Sequence, residues 1–203
     1  MRMKIELAKS ASQLKSASLV ALFALAPVLA QAHPGHGPAS GFMSGLNHPL
    51  HGLDHILAMV AVGLWAAQLG GRSLWAVPAT FVSVMILGGA LGMMGVPLPM
   101  VETGILLSVL ALGLLIAAAA RLPLAASMVI VGLFALFHGH AHGTEIPLAA
   151  SGLSYGFGFV AATTLLHTAG IGLGLAAQKL ASARAIRYAG AAIALCGLCL
   201  WLG

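Results

Sequence analysis

Residues 100–120 read MVETGILLSVLALGLLIAAAA, a run whose single charged side chain is Glu102. A surface helix of a soluble domain carries an apolar stripe and a polar face; this run is apolar on every side. Its length matches the roughly 20 residues that an α-helix needs to cross the hydrocarbon of a bilayer. Similar stretches lie on both sides of it, at Pro49–Leu69, Leu74–Val96, Pro123–Phe137, Leu148–Gln178 and Ile186–Leu202. Gly70-Gly71, Val96-Pro97 and Leu122-Pro123 punctuate the boundaries, as helix-interrupting residues do. The sequence predicts an all-α integral membrane protein, a bundle of about six transmembrane helices. The fourth stretch is short unless it continues past Phe137.

Composition supports the same class. Of 203 residues, 60% are hydrophobic and 6% charged, against about a quarter charged in soluble domains. That excludes a cytosolic enzyme and a disordered chain. The net charge of +5 forms no basic patch, so nucleic acid is not an expected partner; membrane lipid is.

Arg2, Lys4, Lys9 and Lys15 precede a short apolar run, Leu19–Ala26, and the small-residue pattern Ala30-Gln31-Ala32. These are the parts of a secretory signal, so residues 1–32 are expected to be cleaved; an uncleaved anchor is the alternative. Residues 33–47 then form a His-containing N-terminus outside the cytoplasm, and 48–203 the transmembrane domain. With His33 outside, Arg72, Arg121, Lys179, Arg184 and Arg187 all fall on the cytoplasmic side, as the positive-inside rule asks.

Three small-x-x-x-small pairs, Gly88/Gly92, Gly152/Gly156 and Gly170/Gly174, are expected to let helix backbones approach. Cys196 and Cys199 lie in the last stretch and are expected to be buried thiols packing as small hydrophobes.

The chemistry is concentrated in nine histidines set against four acids. His33 and His36 stand at the expected mature terminus. His48, His51, Asp54 and His55 stand at the entrance of the first span, and His138, His140, His142 and Glu145 between the fourth and fifth. His167 lies inside the fifth. With Pro49 as a first helical residue, a helix over the first cluster would place His51 and His55 one turn apart, with Asp54 beside them. In the second cluster a helix aligns His138, His142 and Glu145 and turns His140 elsewhere, whereas Gly139 and Gly143 offer an unwound backbone instead. Intramembrane carboxylates and imidazoles are costly and mark functional sites, so the two clusters on one membrane face predict a metal site. His33, His36, His140, His167 and Glu102 are secondary candidates, with Glu102 also suited to a simple electrostatic role at a helix start. Imidazole and carboxylate suit several dications, and the absence of cysteine and of a methionine pair from the clusters disfavours copper(I).

His48-x5-Asp54-His55 and Phe137-His138-Gly139-His140-Ala141-His142-Gly143-Thr144-Glu145 resemble the two signature motifs of the HupE/UreJ family of membrane metal permeases. The leader and His33-Pro34-Gly35-His36 are similar to that family's start, and the likeness extends to Leu165–Gly170. The resemblance implies import of Ni2+, or Co2+, through a multi-pass protein of the bacterial inner membrane, serving hydrogenase or urease maturation indirectly. His48, Asp54 and His55 match the first motif, and His138, His142 and Glu145 the second; His51 and His140 are additional. The ion is cargo, and no resident cofactor or enzymatic activity is expected. Two other classes compete: an intramembrane metal-dependent hydrolase, disfavoured by the lack of an H-E-x-x-H pattern, and a metal-binding sensor or chaperone that does not transport.

Overall fold

A computed structural model describes residues 41–146, 152–180 and 182–203. The leader expected over 1–32, together with His33 and His36, lies outside the described residues. In chain order the elements are α1 (Gly41–Asn47), a 3-10 turn (His48–Leu50), α2 (Leu53–Leu69), α3 (Ser73–Met93), α4 (Val101–Ala117), α5 (Leu124–Thr144), α6 (Gly152–Leu180) and α7 (Ala183–Leu202). Among the described residues there is no strand.

The distribution of side chains is that of a protein dissolved in lipid. Val129 and Leu165 are 71% and 64% exposed, whereas His138, His142, His167, Ser108, Ser127 and Thr163 are buried. Water would reverse both preferences; hydrocarbon enforces them. Helices α3, α5 and α6, and α7 from Arg184, are long and apolar enough to cross a membrane, and α1, the 3-10 turn and α2 qualify together as a pair bent by 81°. Helix α4 has 17 residues, which reach about 26 Å at 1.5 Å per residue. Among the described residues, the bundle of about six helices read from sequence thus consists of four full spans, a bent one and a short one. The fourth apolar stretch does continue past Phe137, as α5 runs on to Thr144. Helix α1 precedes the domain boundary expected at His48 and packs on α6.

Helix α2 is the central element, buried continuously from Leu57 to Ala67, with α3, α4 and α6 against it. The α3–α5 crossing depends on missing side chains. A Cβ at Gly88 or Gly92 would strike the carbonyls of Leu136 or His140, and one at Gly139 or Gly143 those of Met85 or Gly89. Gly139 and Gly143 therefore do not unwind the backbone; they let α3 lie against an intact α5. Gly170 meets Gly63 of α2 in the same way, but Gly156 faces open space, so the pair Gly152/Gly156 is not a packing face. Cys196 is half-buried and Cys199 exposed, contrary to two buried thiols, because Cys199 sits on the outward face of α7, where lipid accepts it as readily as a core would.

At the end of the bundle away from the histidine clusters, polar side chains tie the helix ends together. Trp65 Nε1 donates to Ala120 O (3.2 Å), Gln68 Nε2 to Ile116 O (3.1 Å), Gln178 Nε2 to Ala67 O (2.9 Å) and Arg187 Nε to Ala117 O (2.8 Å). Most of these bonds satisfy carbonyls that helix termini leave free, while Ile116 O also accepts the backbone N–H of Ala119. Arg72, Arg121 and Lys179 border this same end, so the basic residues and the histidine clusters are segregated to opposite ends.

Candidate metal centre

The first cluster does not sit on one continuous helix. Pro49 occupies the first turn of the 3-10 segment, as its fixed φ allows, but Gly52 is extended (φ −101°, ψ 118°) and α2 starts afresh at Leu53. Two contacts favour the break. Asp54 Oδ1 accepts the backbone N–H of His55 at 2.9 Å, which satisfies one of the free donors of a new helix start. His51 Nδ1 donates back to Asn47 O at 2.7 Å. His51 consequently points away into an exposed position, and the helical spacing expected for His51 and His55 is not realised. The bend instead brings His48 over the end of α5.

Helix α5 carries three interleaved faces in His138-Gly139-His140-Ala141-His142-Gly143. The glycines meet α3. His140 donates from Nε2 to Val96 O at 2.7 Å, binding the α3–α4 connection and leaving the cluster, as its helical position predicts. His138 and His142, one turn apart, face α2 and the turn before it.

An outer group and a deeper group result. Outermost, one ligand atom each from His48, His142 and Glu145 lies within 4.8 Å of the others. His48 Nε2 is 3.1 Å and His142 Nδ1 3.5 Å from Glu145 Oε2. Nitrogen and oxygen bind dications at about 2.0–2.2 Å, so two ligands of one ion are at most about 4.2 Å apart. Both of these pairs already fall inside that limit. The His142 ring, then that of His48, hold the Glu145 carboxyl below the usual carboxylate range, against the smaller opposing effect of its partial burial. Glu145 is half exposed, and it gives the group its negative charge.

The deeper group is Asp54, His55 and His138. His55 Nδ1 lies 2.8 Å from Asp54 Oδ1 and His138 Nδ1 2.9 Å from Phe134 O. Both acceptors are oxygens, so each Nδ1 carries the proton and each Nε2 presents a lone pair. Those two Nε2 atoms are buried without a hydrogen-bond partner, as is Nε2 of His142. Carboxylate or carbonyl behind an imidazole is the arrangement that orients histidine ligands and raises their basicity. The rings are contiguous: centroids are 4.7 Å apart for His48–His142, 4.5 Å for His142–His55 and 5.2 Å for His55–His138.

Several residues around this chain carry no metal-ligand signature. Phe159 lies 4.1 Å from His142 and Tyr155 5.8 Å from His48, ring to ring, forming an apolar wall on α6. Their spacing of one helical turn, Tyr155-x3-Phe159, was the available signal. Gly52 has none, yet its missing Cβ leaves the space that Asp54 and His55 fill. Beside the wall a cavity of about 310 Å³ between α3, α5 and α6 reaches His142. Glu102 stands exposed in the first turn of α4, and His167 lies deeper, in α6.

The family model described as HupE / UreJ protein matches residues 19–200. Protein HupE of Rhizobium leguminosarum bv. viciae is 51% identical over 177 residues, covering 87% of this chain and 92% of that protein. No solved structure matches the chain. A match across nearly the whole bundle, both histidine clusters included, settles the relationship: the chain belongs to the HupE/UreJ family.

Proposed function

We propose that the protein is a permease of the bacterial inner membrane that imports a transition-metal dication, Ni2+ or Co2+, from periplasm to cytoplasm. The observation that carries this reading is the contiguous series of imidazoles with unpartnered buried nitrogens, headed by His48, His142 and Glu145. Three such ligands leave the remaining positions of the ion to water. A partial shell fits transport, which needs binding strong enough to select and weak enough to release. The cation would lose part of its hydration on His48, His142 and Glu145 and pass to His55 and His138, with Asp54 holding His55 in position. The family resemblance supports Ni2+ or Co2+ as the metal and the maturation of hydrogenase or urease as its destination.

Orientation follows from the charges. The basic residues border the end opposite the histidines, which under the positive-inside rule is cytoplasmic. The histidine end then faces the periplasm. A chain that only sensed or chaperoned the metal would bind without accumulating it.

Initial uptake of radiolabelled Ni2+, in cells lacking other nickel importers, tests the reading. Competition by Co2+ and Zn2+ ranks selectivity. Uptake that requires this chain and disappears with His142→Ala at normal protein abundance is the expected result. Metal bound to the protein without accumulation in the cell would refute import.

A further inference from the structure

The chain of imidazoles does not stop at His138. On its far side lies Phe81 of α3, fully buried, with its ring centroid 5.6 Å from that of His138. Across Phe81, 5.0 Å away and at 90° to it, is the ring of His167. His167 is the fifteenth residue beyond the start of α6 at Gly152, which places it about 22 Å along the helix. It is 2% exposed, and both ring nitrogens lack a partner.

The obvious structural explanations for a buried histidine do not serve it. The hydroxyl of Thr163, one turn earlier on the same face, donates to Met85 Sδ at 3.6 Å. Thr168 donates to Thr164 O at 2.7 Å. An imidazole with neither nitrogen bonded is a poor core residue, since leucine or phenylalanine would fill the space without burying unsatisfied polar atoms. The hydroxyl of Thr163 and the thioether of Met85, bonded to each other between α6 and α3, add further donor atoms one turn from His167 on α6 and one turn from Phe81 on α3.

We infer that His167 is a deeper station for the transported dication, reached from His138 when the Phe81 ring swings aside. The inference rests on the permease reading and deepens it: Phe81 separates an outer bank of ligands from an inner one. Closed, the ring seals the interior against leakage; displaced, it presents its π-face to a partly dehydrated cation, which aromatic faces attract. Met85 and Thr163 supply the partners that a single imidazole lacks. At the end where the basic residues lie, Gln68, whose Oε1 is unpartnered, and Gln178 are further polar side chains.

Two measurements on the full-length protein test this. The first is Ni2+ uptake by His167→Gln, which keeps a neutral polar side chain but removes the imidazole, and by Phe81→Leu. His167→Gln should lower the maximal rate at least tenfold, with half-saturating Ni2+ and protein abundance within twofold of wild type. Phe81→Leu should alter rate without altering half-saturation. The second does not depend on transport. In a Cys196→Ser, Cys199→Ser background, His167→Cys is exposed to Ag+ in membranes, and the residual free thiol is titrated after denaturation. Silver should block the introduced thiol, and excess Ni2+ should protect it.

Wild-type uptake by His167→Gln, or a thiol that Ag+ never reaches, would overturn the inference while leaving import through the outer groups intact. A thiol blocked by Ag+ and protected by Ni2+ in a protein that accumulates no metal would keep the deeper station and discard import.

Discussion

Gly52→Ala tests the deeper group without removing a ligand. Gly52 has φ −101° and ψ 118°, a conformation alanine adopts freely, so the substitution introduces no backbone strain. The added Cβ would lie 2.7 Å from Asp54 Oδ1 and 2.8 Å from His55 Nδ1, where ordinary contact begins at 3.4 Å. The two atoms that make the Asp54–His55 hydrogen bond must therefore move by about 0.6–0.7 Å, both away from the same point. A hydrogen bond to a charged group contributes roughly 1.5–3 kcal/mol, and 1.4 kcal/mol is about a factor of ten. Loss of that bond predicts a fall in initial Ni2+ uptake of about tenfold or more. Thermal stability of the purified protein should fall as well, by no more than the roughly 1.5–3 kcal/mol of that bond, so the fold persists and uptake is read on intact protein. Gly172→Ala is the control: a Cβ there meets nothing within 4 Å, so uptake should be unchanged and stability equal or higher by up to about 1 kcal/mol. Wild-type uptake by Gly52→Ala would refute the claim that Asp54 positions His55 for transport.

The α5 faces make separable predictions. His142→Ala should abolish uptake at near-normal abundance, whereas His140→Ala, which loses the bond to Val96 O, should lower melting temperature and leave half-saturating metal unchanged; the reverse pattern would mean that the faces are misassigned. Gly139→Val should remove folded protein from the membrane, since its side chain meets α3 backbone and not a movable side chain; fluorescence-detected size exclusion reads this directly. Glu145 has its carboxyl held below the ordinary value chiefly by His142. Its favourable interactions are therefore present above the unfolded carboxylate value of about 4.3 and are lost only as pH falls through the lower folded value. Glu145→Gln should weaken Ni2+ binding at pH 7.5 roughly tenfold or more, the loss of one charge-assisted contact; unchanged affinity would remove Glu145 from the site.

Helix number and the separation of polar from apolar were readable because lipid imposes one rule on every span. A helix that must satisfy its backbone internally and face hydrocarbon leaves an uninterrupted apolar run, as in α3 and α7. The rule fails where length and local geometry compete. Residues 49–69 look like a single span, but the extended Gly52 and the side-chain bonds of His51 and Asp54 divide it with an 81° bend. Glycine, asparagine and aspartate each permit helix or turn, and only tertiary packing chooses between them. Gly156 shows the same ambiguity on a smaller scale: its spacing from Gly152 is that of a packing motif, yet it faces open space.

The candidate site was readable to the extent that helical phase determined it. His138 and His142 share a face, and His140 leaves it, because α5 stays helical through Thr144. His51 was misplaced because its phase presupposed a helix that begins four residues too early. The bend that displaces His51 also builds the site, since a straight helix from Pro49 would carry His48 along its own axis and away from α5. With the bend, His48 meets His142 and Glu145 while His55 reaches His138, so one break joins the outer group to the deeper one. Phe81 was invisible for the opposite reason. A phenylalanine in an apolar span has no compositional signal, and its position between His138 and His167 exists only once α3, α5 and α6 are assembled. Ligands that must sit in hydrocarbon announce themselves by their cost; the apolar residues that control passage between them do not.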